Sequence, residues 1–169
     1  IDHVLEVTAL DDVAQPERAD EPFSAATIAA DLIAAAVRNG PQEGLDIRLD
    51  LVGDVPSEVI GKPRAFRQTL RNLISNAVKF GAGKPIILRL SCLSPDALRV
   101  EVEDAGIGID LKDQSRIFDD FEALDRDYTR LSGGIGIGLG IVRRAVLSMR
   151  GTVGDGLLLI DSGGQYEYG

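Results

Sequence analysis

Cysteine and histidine each occur once in this 169-residue chain, as Cys92 and His3, and tryptophan is absent. A single cysteine excludes an internal disulfide and any multi-cysteine metal site. A single histidine, three residues from the start, excludes a His–His zinc site and argues against histidine-based catalysis by the body of the chain. Basic residues are in deficit: 18 Lys+Arg stand against 27 Asp+Glu, for a net charge of −9 and a pI near 4.6. A general nucleic-acid binder needs a basic face to displace counterions, so that class is set aside. No apolar run approaches the roughly 18 residues of a membrane-spanning helix, and the first residues do not read as a signal peptide. Against these shortages, 44% hydrophobic and 27% charged residues suit one folded domain with a short appendage. Glycine is abundant, with 19 residues, and it is clustered.

Residues 1–22 read as the appendage. Ile1, Val4, Leu5 and Thr8 recur at helical spacing, Asp11-Asp12 and Gln15-Pro16 end that pattern, and Glu17 to Pro22 is a linker-like polar run. Ser24 is a suitable N-cap for a helix with Ile28, Leu32, Ile33 and Val37 on one face, closed by Asn39-Gly40-Pro41. Asp46 to Leu51 alternates as a half-buried strand does. Phe66 to Phe80 is helical in period, and Ile86–Ser91 and Leu98–Val102 are strands joined at Ser94-Pro95-Asp96. Asp104 to about Gly134 has little periodicity, and a helix follows over Ile137 to Arg150. Val153–Ile160 and Gln165–Tyr168, with Ser162-Gly163-Gly164 between, predict a closing hairpin. The order predicts an α+β fold: a two-layer sandwich with a mixed or antiparallel sheet covered on one face by helices.

Four stretches carry the chemistry. On the helix Arg67 to Phe80, the stripe Phe66, Leu70, Leu73, Ile74 and Ala77 is apolar, while Asn72, Asn76 and Lys79 share one edge. Asn oxygens are hard neutral ligands suited to Mg²⁺, and an ammonium meets phosphate; the same triplet also reads as an ordinary solvated face. Val102-Glu103-Asp104-Ala105-Gly106-Ile107-Gly108 runs a strand into a carboxylate and two glycines. There backbone can approach a ligand, and Asp104 can accept from an exocyclic amine such as adenine's. Gly133 to Gly140 is glycine-rich and leads into a helix, an arrangement that binds anions through unpaired N–H groups. It fits neither Gly-x-Gly-x-x-Gly nor a Gly-Lys-Ser/Thr P-loop. Ile117-Phe118-Asp119-Asp120-Phe121 sets two aromatics three apart inside the irregular segment.

In this order, the four stretches resemble the catalytic ATP-binding domain of sensor histidine kinases, within the GHKL ATPase superfamily and its Bergerat-type fold. They look like the N box (Asn72 to Phe80), G1 box (Asp104 to Gly108), F box (Phe118 to Phe121) and G2 box (Gly134 to Gly138) over about residues 22–160. The resemblance implies ATP and Mg²⁺ as cofactors. Asn76 would be the metal ligand, with Asn72 and Phe80 beside it and Lys79 on the phosphates. Asp104 would take the adenine amine, Gly106, Gly108, Gly134, Gly136, Gly138 and Leu139 would shape the pocket, and Phe118 and Phe121 would border it. Residues 110–133 would be an ATP lid whose cation is Arg126 or Arg130. Implied partners are the kinase's own dimerisation and phosphoacceptor domain and, indirectly, a response-regulator receiver domain. No nucleic acid or membrane contact is expected of this segment, and the expected location is cytoplasmic.

Some positions depart from the pattern: Ile135 replaces a frequent Thr, Gly140 a frequent Ser or Ala, and Ala123 stands where an Arg is common. Arg150-Gly151 replaces a paired glycine. Hydrolytic members carry a glutamate where this chain has Asn72, which is no general base, so transfer to a partner is favoured over hydrolysis. His3 is followed by Val4-Leu5-Glu6 rather than an acidic residue, so the receiving histidine is expected elsewhere. Residues 1–21 resemble the end of a hairpin helix plus linker, and 22–169 the ATP-binding domain. The competing readings are a degenerate nucleotide-binding or interaction module, and a serine kinase of the anti-sigma-factor type. The charge bears on all three. Residues 1–22 carry 7 acids and 1 base, 110–130 carry 7 and 4, and the remainder carries 13 of each. The expected nucleotide-binding body is therefore neutral.

Overall fold

The computed structural model describes residues 19–40, 44–94, 97–106, 137–154 and 157–161. The appendage helix expected over Ile1–Leu10, the whole of the expected lid (110–133) and the strand expected over Gln165–Tyr168 lie outside them. The described elements are β1 (Glu21–Phe23), α1 (Ala25–Asn39), β2 (Ile47–Val52), β3 (Val59–Gly61) and α2 (Pro63–Phe80). They continue with β4 (Ile86–Ser94), β5 (Ala97–Glu103), α3 (Ile137–Ser148), β6 (Thr152–Gly154) and β7 (Leu157–Asp161).

Five strands form one sheet in the order β2-β4-β5-β7-β6. β2 runs parallel to β4, with Ile47 opposite Ile86 and Leu51 opposite Leu90, while the other neighbouring pairs are antiparallel. The sheet is therefore mixed. Helices α1, α2 and α3 cover one face, where Leu88, Leu90, Leu98 and Val100 meet Ile28, Leu32, Phe66, Leu70, Ile74, Val142 and Val146 in a single core. This is the expected two-layer α+β sandwich. The opposite face carries Arg89, whose guanidinium is 2.6 Å from Glu103 and 3.6 Å from Asp50, and an Arg99–Glu101 pair at 2.9 Å. Such pairs mark a solvated face and add little stability.

Local chemistry explains the helix boundaries. The Ser24 hydroxyl accepts from the Thr27 N–H at 3.2 Å and caps α1. Pro63 occupies the first turn of α2, where its missing N–H costs nothing. Val37, expected on the buried face of α1, is 44% exposed, because burial is confined to Ala25, Ile28, Ala29 and Leu32. In β2, Ile47 is buried but Leu51 is 48% exposed, so the expected alternation holds only at the end covered by helix.

Two expectations are corrected. Glu21 and Pro22 are not purely linker. β1 pairs antiparallel with β3, placing Glu21 opposite Gly61 and Phe23 opposite Val59, and a three-residue strand has too short a period to read from sequence. Nor is Val153–Ile160 one strand. β6 and β7 pair with each other, Gly154 opposite Leu157, so the chain reverses after two residues. The turn expected at Ser162-Gly163-Gly164 lies outside the described residues.

The atypical Arg150-Gly151 has a defined place. Arg150 has φ 59°, the Gly151 N–H donates to the Val146 carbonyl at 2.8 Å, and the Arg150 N–H to Leu147 at 3.0 Å. This is a Schellman cap on α3, with arginine in the left-handed position where glycine is least strained. Arg150→Gly is expected to raise unfolding stability by about 1 kcal/mol in urea titration. A second cost lies in the core, where Thr69 is fully buried and its hydroxyl has no hydrogen-bond partner among the described residues. Thr69→Val keeps the branched shape and removes the unpaired polar atom, so a gain of about 1 kcal/mol is expected in the same measurement.

Candidate functional site

Helix α2 turns one stripe to the sheet and the rest outward. Phe66, Leu70, Ile74 and Ala77 are buried at 3% exposure or less, which fixes the rotation of the helix about its axis. With that rotation set, Asn72 and Asn76 are half-buried on one flank, Lys79 is exposed in the last turn, and Phe80 is half-buried at the end. The Asn72 side-chain N–H₂ donates to the Gln68 carbonyl at 3.0 Å. That bond occupies the donor end of the amide and leaves its oxygen available as an acceptor.

Asp104 arrives from a different layer, just past the end of β5. Its neighbour Glu103 belongs to the outer face and is held by Arg89; the hydrogen bond that the Arg89 guanidinium donates to Glu103 is the main reason that guanidinium titrates above its usual range. Asp104 is turned the other way. Its Oδ1 accepts from the Gly106 N–H at 2.9 Å, forming a turn that holds the carboxylate at the strand end. Of two adjacent acids, one is engaged on the outer sheet face and the other is presented beside α2.

The end of α2 and this turn are in direct contact. The Gly81 N–H donates to the Ala77 carbonyl at 2.8 Å and closes the helix. A Cβ built on Gly106 would overlap the Phe80 carbonyl oxygen and lie 2.8 Å from Asp104 Oδ1. A Cβ on Gly81 would overlap the Ala77 carbonyl oxygen and lie 3.6 Å from the Asp104 Cβ. The structure therefore gathers Asn72, Asn76, Lys79, Phe80, Asp104 and Gly106 into one region. Gly108, Phe118, Phe121, Arg126, Arg130, Gly134 and Gly136 lie outside the described residues. Gly138 and Leu139 fall in the first turn of α3, a helix that packs along α2 and buries Ile141, Val142, Ala145 and Val146. That helix begins at Ile137, inside the glycine-rich stretch Gly133 to Gly140. Gly81 was missed by sequence reasoning; a glycine just past the last apolar residue of a helix is a stop signal that could have drawn attention to it.

A hollow among the described residues lies elsewhere, lined by Phe23, Val59, Gly61, Leu98 and Met149. Leu98 and Asp104 are at opposite ends of β5, about 20 Å apart at strand rise, so this hollow is not part of the same region.

The family model described as histidine kinase-, DNA gyrase B- and HSP90-like ATPase matches residues 61–155, from the strand before α2 through β6. The chain belongs to this ATPase family. It is 34% identical over 136 residues to the signal transduction histidine-protein kinase BarA of Escherichia coli K12, which covers 78% of this chain and 15% of that relative. The chain thus spans only a small part of that relative's length. Among solved structures it resembles full-length ShkA in complex with AMPPNP, with a TM-score of 0.78, 24% identity, and coverage of 96% of this chain and 37% of the other. It also resembles the catalytic domain of histidine kinase ThkA, with a TM-score of 0.72, 17% identity, and coverage of 86% and 97%. At these identities the two structures speak for the fold.

Proposed function

We propose that this ATPase-family domain binds Mg-ATP and passes the γ-phosphoryl group to a histidine outside the present sequence. One observation carries the reading: the edge of α2 bearing Asn72, Asn76 and Lys79 ends against the turn that presents Asp104. A nucleotide has a base with an exocyclic N–H₂ at one end and a triphosphate at the other, and the region offers an acceptor carboxylate at one end and amide oxygens with an ammonium at the other. BarA is named a histidine kinase and ShkA was solved with AMPPNP, which agrees with this assignment.

The donor set suits magnesium. Among the described residues there is no group of three or more His, Cys, Asp or Glu side chains able to hold a metal. A neutral Asn oxygen is instead the kind of ligand Mg²⁺ takes when phosphate oxygens and water complete its shell. Asn76 is assigned as that ligand, with Asn72 beside it; the bound ion would draw charge from the phosphates. Lys79 would neutralise a further phosphate oxygen, and Phe80 would border the nucleotide. In the transfer, a histidine ring nitrogen forms a bond to the γ-phosphorus while the bond from that phosphorus to the bridging oxygen breaks, releasing ADP. The domain's contribution is positioning and charge neutralisation. Asn72 cannot abstract a proton from water, which disfavours hydrolysis. The lid cation is assigned to Arg126 or Arg130. The partners are then the phosphoacceptor hairpin of the same kinase and, through it, a receiver domain. A cytoplasmic location accords with this chemistry. Among the described residues no helix is long and apolar enough to cross a membrane.

Calorimetry on the purified domain tests the metal end. Asn76→Ala should weaken nucleotide binding in the presence of Mg²⁺ by at least tenfold while leaving the unfolding midpoint nearly unchanged; unchanged affinity removes Asn76 from the site. Incubation with a phosphoacceptor hairpin fragment and labelled ATP tests the transfer. Acid-labile label on the hairpin is expected, whereas label on a serine-bearing partner, or on neither, replaces this reading with one of its rivals.

A further inference from the structure

We infer that Gly81 and Gly106 are positioning residues that lock the base-recognising carboxylate to the phosphate-binding helix, so that the two ends of the site are set as one unit. The inference rests on the reading of Asp104 as the acceptor for adenine and deepens it. Three contacts carry it. Gly106 donates its N–H to Asp104 Oδ1 at 2.9 Å, so the orientation of the carboxylate is set by the backbone at Gly106. The same residue approaches the Phe80 carbonyl so closely that any Cβ would collide with it. Gly81 closes α2 through Ala77, and a methyl group there would collide with that carbonyl and reach to 3.6 Å from the Asp104 Cβ.

The obstacles to a side chain at these positions are backbone atoms. Side-chain atoms can swing aside, but the Phe80 and Ala77 carbonyls move only if the end of α2 moves. Nor can α2 shift freely, because Phe66, Leu70, Ile74 and Ala77 are locked into the core. A methyl group at Gly106 must therefore lift the turn away from the helix and carry Asp104 with it. The spacing between Asp104 and the Asn76–Lys79 edge would change, and with it the base that fits when the phosphates are seated.

The readout is the ratio of affinities for ATP and ITP, measured by calorimetry on the same preparation. ITP has the same triphosphate but presents a carbonyl where adenine has its amine, so it reports the base end alone. A loss of folded protein scales both affinities together and leaves the ratio unmoved. The wild type should favour ATP by about tenfold or more, as a charged hydrogen-bond acceptor facing the wrong group implies. Asp104→Asn should bring the ratio to one or below. Gly106→Ala and Gly81→Ala should each lower it at least fivefold. If Asp104→Asn abolishes the preference and both glycine variants keep it, the positioning role is overturned and the base assignment stands. If Asp104→Asn keeps the preference, the base assignment itself fails, and the positioning role with it. Should neither alanine variant fold, amide NMR on the wild type decides. Adenosine, which has no phosphate to touch α2, should displace the Gly81 resonance together with that of Gly106, and a stationary Gly81 overturns the inference.

Discussion

The site depends on how α2 lies on the sheet. Phe66, Leu70, Ile74 and Ala77 sit against the inner face of the sheet, and a close-packed interior admits one rotation of the helix. Everything polar on that helix then has its position assigned without further interaction. Asn72 and Asn76 lie on the flank because the apolar stripe lies beneath them, and Lys79 and Phe80 come last because the helix closes at Gly81. Positioning by packing suits chemistry that consists of orienting phosphates and cancelling charge. The residues need no mutual hydrogen-bond network, only a rigid element underneath.

The second constraint is the pleat of β5. Strand alternation sends Glu103 to the outer face, where Arg89 holds it across the β4–β5 pair, and leaves Asp104 to turn back at the strand end. Two acids side by side in sequence thereby acquire different surroundings: one is paired with Arg89 on a solvated face, and the other stands beside the end of α2, where we propose that it meets a ligand. Arg89 has a place in this division. By engaging Glu103 it keeps a second carboxylate on the far side of the sheet from the α2 edge that bears Asn76 and Lys79, in a chain whose net charge is already −9.

Much of this was legible in advance because the signals were local. The 3.6-residue period placed α2 and its polar edge, the Ser24 cap started α1, and an acid followed by glycines after an apolar strand marked the end of β5. Illegible features were those decided by partners distant in sequence. β1 and β3 are three-residue strands that exist through each other. Val37 and Leu51 have periodic, apolar positions but lie where the opposing layer has run out. The division of the Val153–Ile160 run into β6 and β7 likewise depends on pairing, β7 lying between β5 and β6.

By itself, then, the sequence determined the class of the domain and the chemical character of each end of the site: amide oxygens and an ammonium on one helix, a carboxylate with glycines after one strand. These follow from composition and short-range spacing, which are properties of the chain alone. Tertiary structure decided that the two ends meet, and how closely. The contact of Gly106 with the Phe80 carbonyl joins residues from separate layers, and no periodicity in either segment encodes the distance between them. That distance is set where the helix comes to rest on the sheet, because the packed core admits one depth and one rotation.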